Sequence, residues 1–181
     1  MKKLIAFIAL GLLISTTAYG QNAHLKPPNR NPTFVDQGLT LQVVGNLAGL
    51  GEGDVVISLT AEADVTATCT NPAGATQPPG QNPAPITVTG AQPIPEDEIK
   101  NGNVSFNVET NEPVTPIPGA PDCPNPKWTE AIEDLAFTSA TIVVEQPAGT
   151  AVLTVTCSFA APTEDGAVPT SDVLCTSDGD V

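Results

Sequence analysis

DVVISLTAEADVTATCT, residues 54–70, decides the fold. Val55, Ile57, Leu59, Ala61, Ala63, Val65, Ala67 and Cys69 fall on one parity, and Val56, Ser58, Thr60, Glu62, Asp64, Thr66 and Thr68 on the other. Successive side chains of an extended chain point to opposite faces, so this alternation describes a β-strand with one buried face. Its length of about 16 residues exceeds the usual 3–10, and a bend or bulge is expected near Glu62 to Asp64. The phase also puts Cys69 on the inward face, as a buried crosslink point.

Outward from this strand the same signal recurs in shorter pieces. Leu39, Leu41 and Val43 alternate before a glycine-rich turn, NLAGLGEGD at 46–54. Ile86 and Val88 alternate with threonines up to Gly90, and Val104, Phe106 and Val108 share an inward face after the turn dipeptide Asn101-Gly102. FTSATIVVEQ and TAVLTVTCSF read as strands joined across Pro147-Ala148-Gly149, with Leu153, Val155, Cys157 and Phe159 on one face. TEAIEDLA, 129–136, reads as one or two helical turns with Thr129 as a cap, and a short last strand is expected around Val173 to Thr176. About 7–8 short strands separated by Gly, Pro and Asn turns predict an all-β protein, a single immunoglobulin-like β-sandwich. The lack of a usable internal repeat argues against a propeller or solenoid.

Residues 1–20 have the form of a signal peptide. Lys2 and Lys3 precede the apolar stretch Leu4 to Ile14, and Ala18-Tyr19-Gly20 is a small-x-small cleavage site. Without a Cys after this stretch a lipid anchor is not expected, and no second apolar segment is long enough to span a membrane. The mature part divides into an extended, locally basic lead-in (21–38), the sandwich (39–160) and a C-terminal segment tied back by a disulfide (161–181). All 20 acidic residues follow the leader, but of the basic ones only Lys26, Arg30, Lys100 and Lys127 do. The resulting charge of about −16 repels nucleic acid and anionic lipid, and favours solubility. The expected location is periplasmic or extracellular.

Cys69, Cys123, Cys157 and Cys175 all survive cleavage, an even count that implies two disulfides in an exported chain. Pairing Cys69 with Cys123 ties the long strand to the Pro-rich approach to Trp128. Pairing Cys157 with Cys175 fastens the C-terminal segment. Closing loops of about 54 and 18 residues contributes roughly 4 and 3 kcal/mol, a large share of a typical stability. Cys69 with Cys157, an inter-sheet link as in antibody domains, stays open as the alternative. There is no CxxC pair, and the lone His24 lies in the lead-in. Zinc, thioredoxin-like and Ser-His-Asp chemistry therefore lack their groups, and no cofactor is expected.

Three acidic groupings admit other chemistry. Glu96-Asp97-Glu98, Glu133-Asp134 and Glu164-Asp165 supply the carboxylate pairs a glycan hydrolase needs, although adjacent acids at turns are usually solvated charge. Calcium has candidate ligands in Glu96-Asp97-Glu98, in Asp178-Gly179-Asp180, and in Glu52 with Asp54, none in the spaced loop of an EF-hand. Trp128, in CPNPKW, reads first as packing over a disulfide and second as a ligand platform.

The segments GNLAGLGEGDVVISLTA, CTNPAGATQPPGQN, EIKNGNVSF, CPNPKW and FTSATI, in that order, resemble a group of small exported bacterial proteins of uncharacterised function. The resemblance covers roughly residues 39–157 and implies a single exported domain. It also implies the Cys69–Cys123 pairing, and it brings no catalytic or binding role.

The chain thus reads as an exported, non-enzymatic β-sandwich with a structural or binding role at the cell envelope or outside the cell. A carboxylate-dependent glycan hydrolase or a calcium-binding surface module is the alternative. CTNPAGATQPPGQNPAP, 69–85, carries no charge, and Pro72, Pro78, Pro79, Pro83 and Pro85 limit its backbone. Gln77, Gln81 and Asn82 on this stretch, with Trp128, are the candidate contact residues. The expected partner is a cell-surface component or a second copy, the latter engaged through the basic lead-in.

Overall fold

The computed structural model describes residues 22–26, 31–77, 83–117 and 123–178, so the leader at 1–20 lies outside the described residues. The strands are β1 (His24–Leu25), β2 (Thr33–Asp36), β3 (Leu41–Ala48), β4 (Val55–Thr70), β5 (Thr76–Gln77) and β6 (Ile86–Ile94). After the 3₁₀ turn η1 (Glu96–Glu98) come β7 (Val104–Glu109), β8 (Thr129–Glu145), β9 (Ala151–Phe159) and β10 (Gly166–Ala167). A second 3₁₀ turn, η2 (Thr170–Asp172), leads into β11 (Val173–Ser177).

These strands make two packed antiparallel sheets. One runs β10–β2–β3–β7, with β1 extending the β2 side of β3. The other runs β11–β9–β8–β4, with β6 and β5 sharing the far side of β4. Every odd position of β4 from Val55 to Cys69 is buried except the half-buried Val65, as the alternation requires. Both inner faces feed one core, where Phe34 of β2 meets Phe159 of β9 edge-on at 5.2 Å. The outer face of the larger sheet is hydroxylic. Thr89, Thr60, Thr141, Thr156 and Thr176 form one row across five strands.

The disulfides are Cys69–Cys123 and Cys157–Cys175. The second joins directly opposed residues of β9 and β11 within one sheet, so the antibody-like Cys69–Cys157 link does not form.

Three sequence expectations need correction. Residues 129–136 are strand, not helix, because they are the first half of β8 and pair with β4 from Asp64 to Thr70. The register shifts twice, between Glu62 and Ala63 and between Thr66 and Ala67, where Thr138 and Glu133 are the extra residues on β8. Each bulge spaces consecutive inward residues three apart, Ile132 to Leu135 and Phe137 to Ala140, which imitates helical periodicity. The first of these shifts lies where the overlong strand was expected to bend.

Within 21–38, expected as an extended lead-in outside the sandwich, the described residues belong to the sandwich itself. They supply β1 and β2, and Ala23, Leu25 and Phe34 are buried. The C-terminal segment likewise gives β10 to one sheet and β11 to the other, so residues 39–160 are not the whole sandwich.

Two constraints fix the ends and the edge. At the β8–β9 turn, the fully buried Gln146 amide accepts from Gly51 N–H at 2.7 Å and donates to the carbonyls of Gly51 and Gly53, both at 2.9 Å. It thereby holds the β3–β4 loop to the other sheet's turn. At the lateral edge, Asn111 N–H donates to Thr89 O and Asn107 N–H to Gln92 Oε1, both at 2.9 Å, drawing the β7 strand and its exit against β6. A Cβ on Gly90 would lie 1.9 Å from Glu109 O, so only glycine permits this approach. Gly90→Ala is expected to cost about 3 kcal/mol, the upper end for overpacking, measured as a shift in the chemical denaturation midpoint.

Candidate functional site

β4 ends at Thr70, one residue past Cys69, and the chain turns back immediately. Asn71 Oδ1 accepts from the N–H groups of Ala73 and Ala75, each at 2.9 Å, and Thr70 and Thr76 pair hydroxyls at 2.9 Å across β4–β5. The first part of the Pro-rich stretch is therefore a tight hairpin, with Asn71 doing what a helix cap does elsewhere. Gln77 stands opposite Cys69 and is exposed, while Gln81 and Asn82 lie outside the described residues.

The Cys69–Cys123 bridge brings the second Pro-rich stretch to the same end. There Asn125 organises a turn, accepting from Trp128 N–H at 2.8 Å through its carbonyl and from Lys127 N–H at 3.0 Å through Oδ1. Trp128 is half-buried and is not part of the core. It lines a depression of about 570 Å³ with Cys123, Pro116, Asn125 and Pro126. Trp128 and Cys123 line the same depression, and the indole faces an open hollow.

A second hollow of about 270 Å³ uses the other residues of segment 113–117. Val114 and Pro113 meet Pro85, Ile86 and Val88 there, with Ile117 buried at its base. Val114 is 76% exposed, which leaves a large apolar side chain in water next to a strand edge. Among the described residues, the two hollows are lined by a single charged residue, Glu130.

The acidic side chains gather elsewhere, in an arrangement that sequence reading missed. Asp36, 2% exposed at the end of β2, accepts from Gly38 N–H at 2.9 Å and from the Thr163 hydroxyl. Thr163 Oγ1 in turn accepts from Phe137 N–H of β8 at 2.9 Å, so Asp36 ties the two sheets through the 160–166 linker. Asp134 and Asp165 flank it: a Cβ on Gly38 would lie 3.8 Å from Asp134 Oδ1 and 3.5 Å from Asp165 Oδ1. The signal available in sequence was Asp-x-Gly after an alternating Phe34, but prolines on the N-terminal side masked it as irregular.

Of the sequence candidates for carboxylate chemistry, Asp134 and Asp165 come together here. Glu133 instead accepts from the Thr68 hydroxyl at 2.7 Å, and Glu96 N–H donates to Asp54 Oδ1 at 2.9 Å on the η1 turn. Asp36 is unsuited to proton transfer with solvent, because it is buried and both its oxygens are engaged. Among the described residues no group of three or more His, Cys, Asp or Glu side chains is arranged to hold a metal ion. Asp180, a calcium candidate, lies outside them. Among the described residues, too, no helix is long and apolar enough to cross a membrane.

No protein-family model, curated protein or solved structure matches the chain.

Burial raises the Asp36 pKa above its ordinary value, Asp134 and Asp165 raise it further, and the bonds from Thr163 and Gly38 oppose the shift. Between the unfolded and folded values the native state binds more protons than the unfolded one, so stability falls as pH rises through this window. Relative to Asp36→Asn, the wild type is expected to lose unfolding free energy from about pH 4 upward and then level off. Urea titrations of both proteins across acidic to neutral pH test this, and a constant difference would show that Asp36 is not the group responsible.

Proposed function

We propose that the chain is an exported, non-enzymatic binding module whose contact surface is the neutral, proline-rich end of the sandwich. The carrying observation is the pair of hollows around segment 113–117, with Glu130 their one charged residue among the described lining and Val114 exposed, on a chain with 20 acidic and 6 basic residues. Elsewhere a partner meets the hydroxyl row of the larger sheet or carboxylates that must stay hydrated or be paired. At this end it meets proline rings, Val114 and Trp128. Prolines and the Cys69–Cys123 bridge limit the backbone, so little conformational entropy is lost on binding.

The leader-like residues 1–20 and the two disulfides support an oxidising compartment, periplasmic or extracellular. An immunoglobulin-like relationship fits the same proposal, since such sandwiches present their loops at the ends of the sheets as contact surfaces.

The mature protein, immobilised, is expected to capture a component from the native host's envelope or culture supernatant, and Val114→Glu to abolish that capture. As a surface change, Val114→Glu should move stability by no more than about 0.5 kcal/mol. Equal capture by wild type and variant would overturn the assignment of the surface. Turnover of a glycan panel that disappears on neutralising Glu133 and Asp134 would overturn the non-enzymatic reading.

A further inference from the structure

We infer that β11 is a self-association edge, through which a second copy of the chain pairs antiparallel about a twofold axis at Leu174. This is independent of the proline-rich end. β11 is the last strand of its sheet, paired only with β9 among the described residues. Open strand edges are templates for further pairing, and proteins blunt them with charge, proline, bulges, shortness or cover.

The other edges are blunted in those ways. β1, β5 and β10 are two residues long, and β6 carries Pro93 and lies against β7 through the Asn107 and Asn111 bonds. Among the described residues, β11 from Val173 to Thr176 shows none of these devices. Its residues, Val-Leu-Cys-Thr-Ser, include no charge and no proline, and its register with β9 is unbroken from Val173 to Ser177. Leu174 is 71% exposed, and the Cys157–Cys175 bridge holds the strand in place.

The ladder shows which groups face outward. Ala160 N–H donates to Asp172 O at 2.8 Å and Asp178 N–H to Thr154 O at 2.9 Å, so main-chain groups at even positions point toward β9. In an antiparallel ladder the alternate positions point the other way, which directs the main-chain groups of Val173 and Cys175 to the open side. An added strand must meet them with its own outward groups, and two central registers satisfy that.

An axis on Cys175 sets Asp172 against the second copy's Asp178, a like-charge contact on chains already strongly acidic. An axis on Leu174 instead sets the two Leu174 side chains against each other and Asp172 against Thr176. Apolar contact and charge both select the second. A single five-residue pairing falls in the small-interface class, so association is concentration-dependent, and salt strengthens it by screening two acidic molecules.

Sedimentation velocity over a wide concentration series, at low and high salt, reads this directly. The wild type is expected to pass from monomer to dimer, at lower concentration in high salt. Leu174→Lys, which sets two ammonium groups across the axis, should weaken dimerisation roughly tenfold or more. Thr176→Lys, which sets an ammonium against the second copy's Asp172, should tighten it several-fold. Thermal melts confirm that each variant is folded, and Val114→Glu should dimerise like the wild type. A wild type that stays monomeric throughout, or a folded Leu174→Lys that dimerises equally well, overturns the inference.

Discussion

The pairing of β4 with β8 is the constraint on which the rest of the molecule depends. It runs from Val56 opposite Glu145 to Thr70 opposite Thr129, the full length of both strands. β6 and β5 attach to the free side of β4, and β9 and then β11 attach to the free side of β8. The smaller sheet is positioned against this platform at discrete points: Gln146 at one end, Asp36 through Thr163 to Phe137, and the Gly90 approach at the edge. The inward residues of β4 and β8 form one wall of the core, and Phe34, Leu41, Leu47, Phe106 and Val108 of the smaller sheet form the other. The polar contacts decide how the second sheet sits on the first.

This division separates polar structure from neutral surface. The Asp36 cluster is engaged in holding sheets together, and its hydrogen bonds run to the linker and to β8. The proline-rich end has Glu130 as the one charged residue in the described lining of its hollows, and it leaves Trp128 partly and Val114 largely in contact with solvent. The strongly acidic composition favours mutual repulsion between molecules, and the contacts proposed above at the proline-rich end and the β11 edge are those that escape it.

The fold was legible where one physical rule acted alone. The odd positions of 55–69 and the inward Leu153, Val155, Cys157 and Phe159 obeyed the strand period, and Asn101-Gly102 formed its turn with φ of 52° and 71°. Legibility failed where two rules overlapped. Prolines around Thr33–Asp36 suggested an irregular arm because a four-residue strand gives too few alternations to outweigh them. Bulges in β8 mixed the strand period with a three-residue step. Asp36 was hidden because its role depends on Thr163, far along the chain, and no local pattern announces such a partner. Of the candidate contact residues, the hollow beside Trp128 needed the disulfide geometry to appear, and Val114 gave no sign in sequence that it would stay exposed.

The two bulges of β8 carry a consequence for how such a chain can change over generations. Each extra residue switches which parity faces inward for everything before it, and the second switch undoes the first. Ile132 and Ile142 therefore lie on the same parity, whereas Leu135 and Phe137 between them lie on the other. Loss of the extra residue at either bulge would leave every inward side chain inward and only straighten the strand, whereas loss of a residue between or beyond the bulges would turn part of it inside out. Single-residue changes of length in this strand should accordingly be inherited at Glu133 and Thr138, which makes the bulges the places where its length is free to vary.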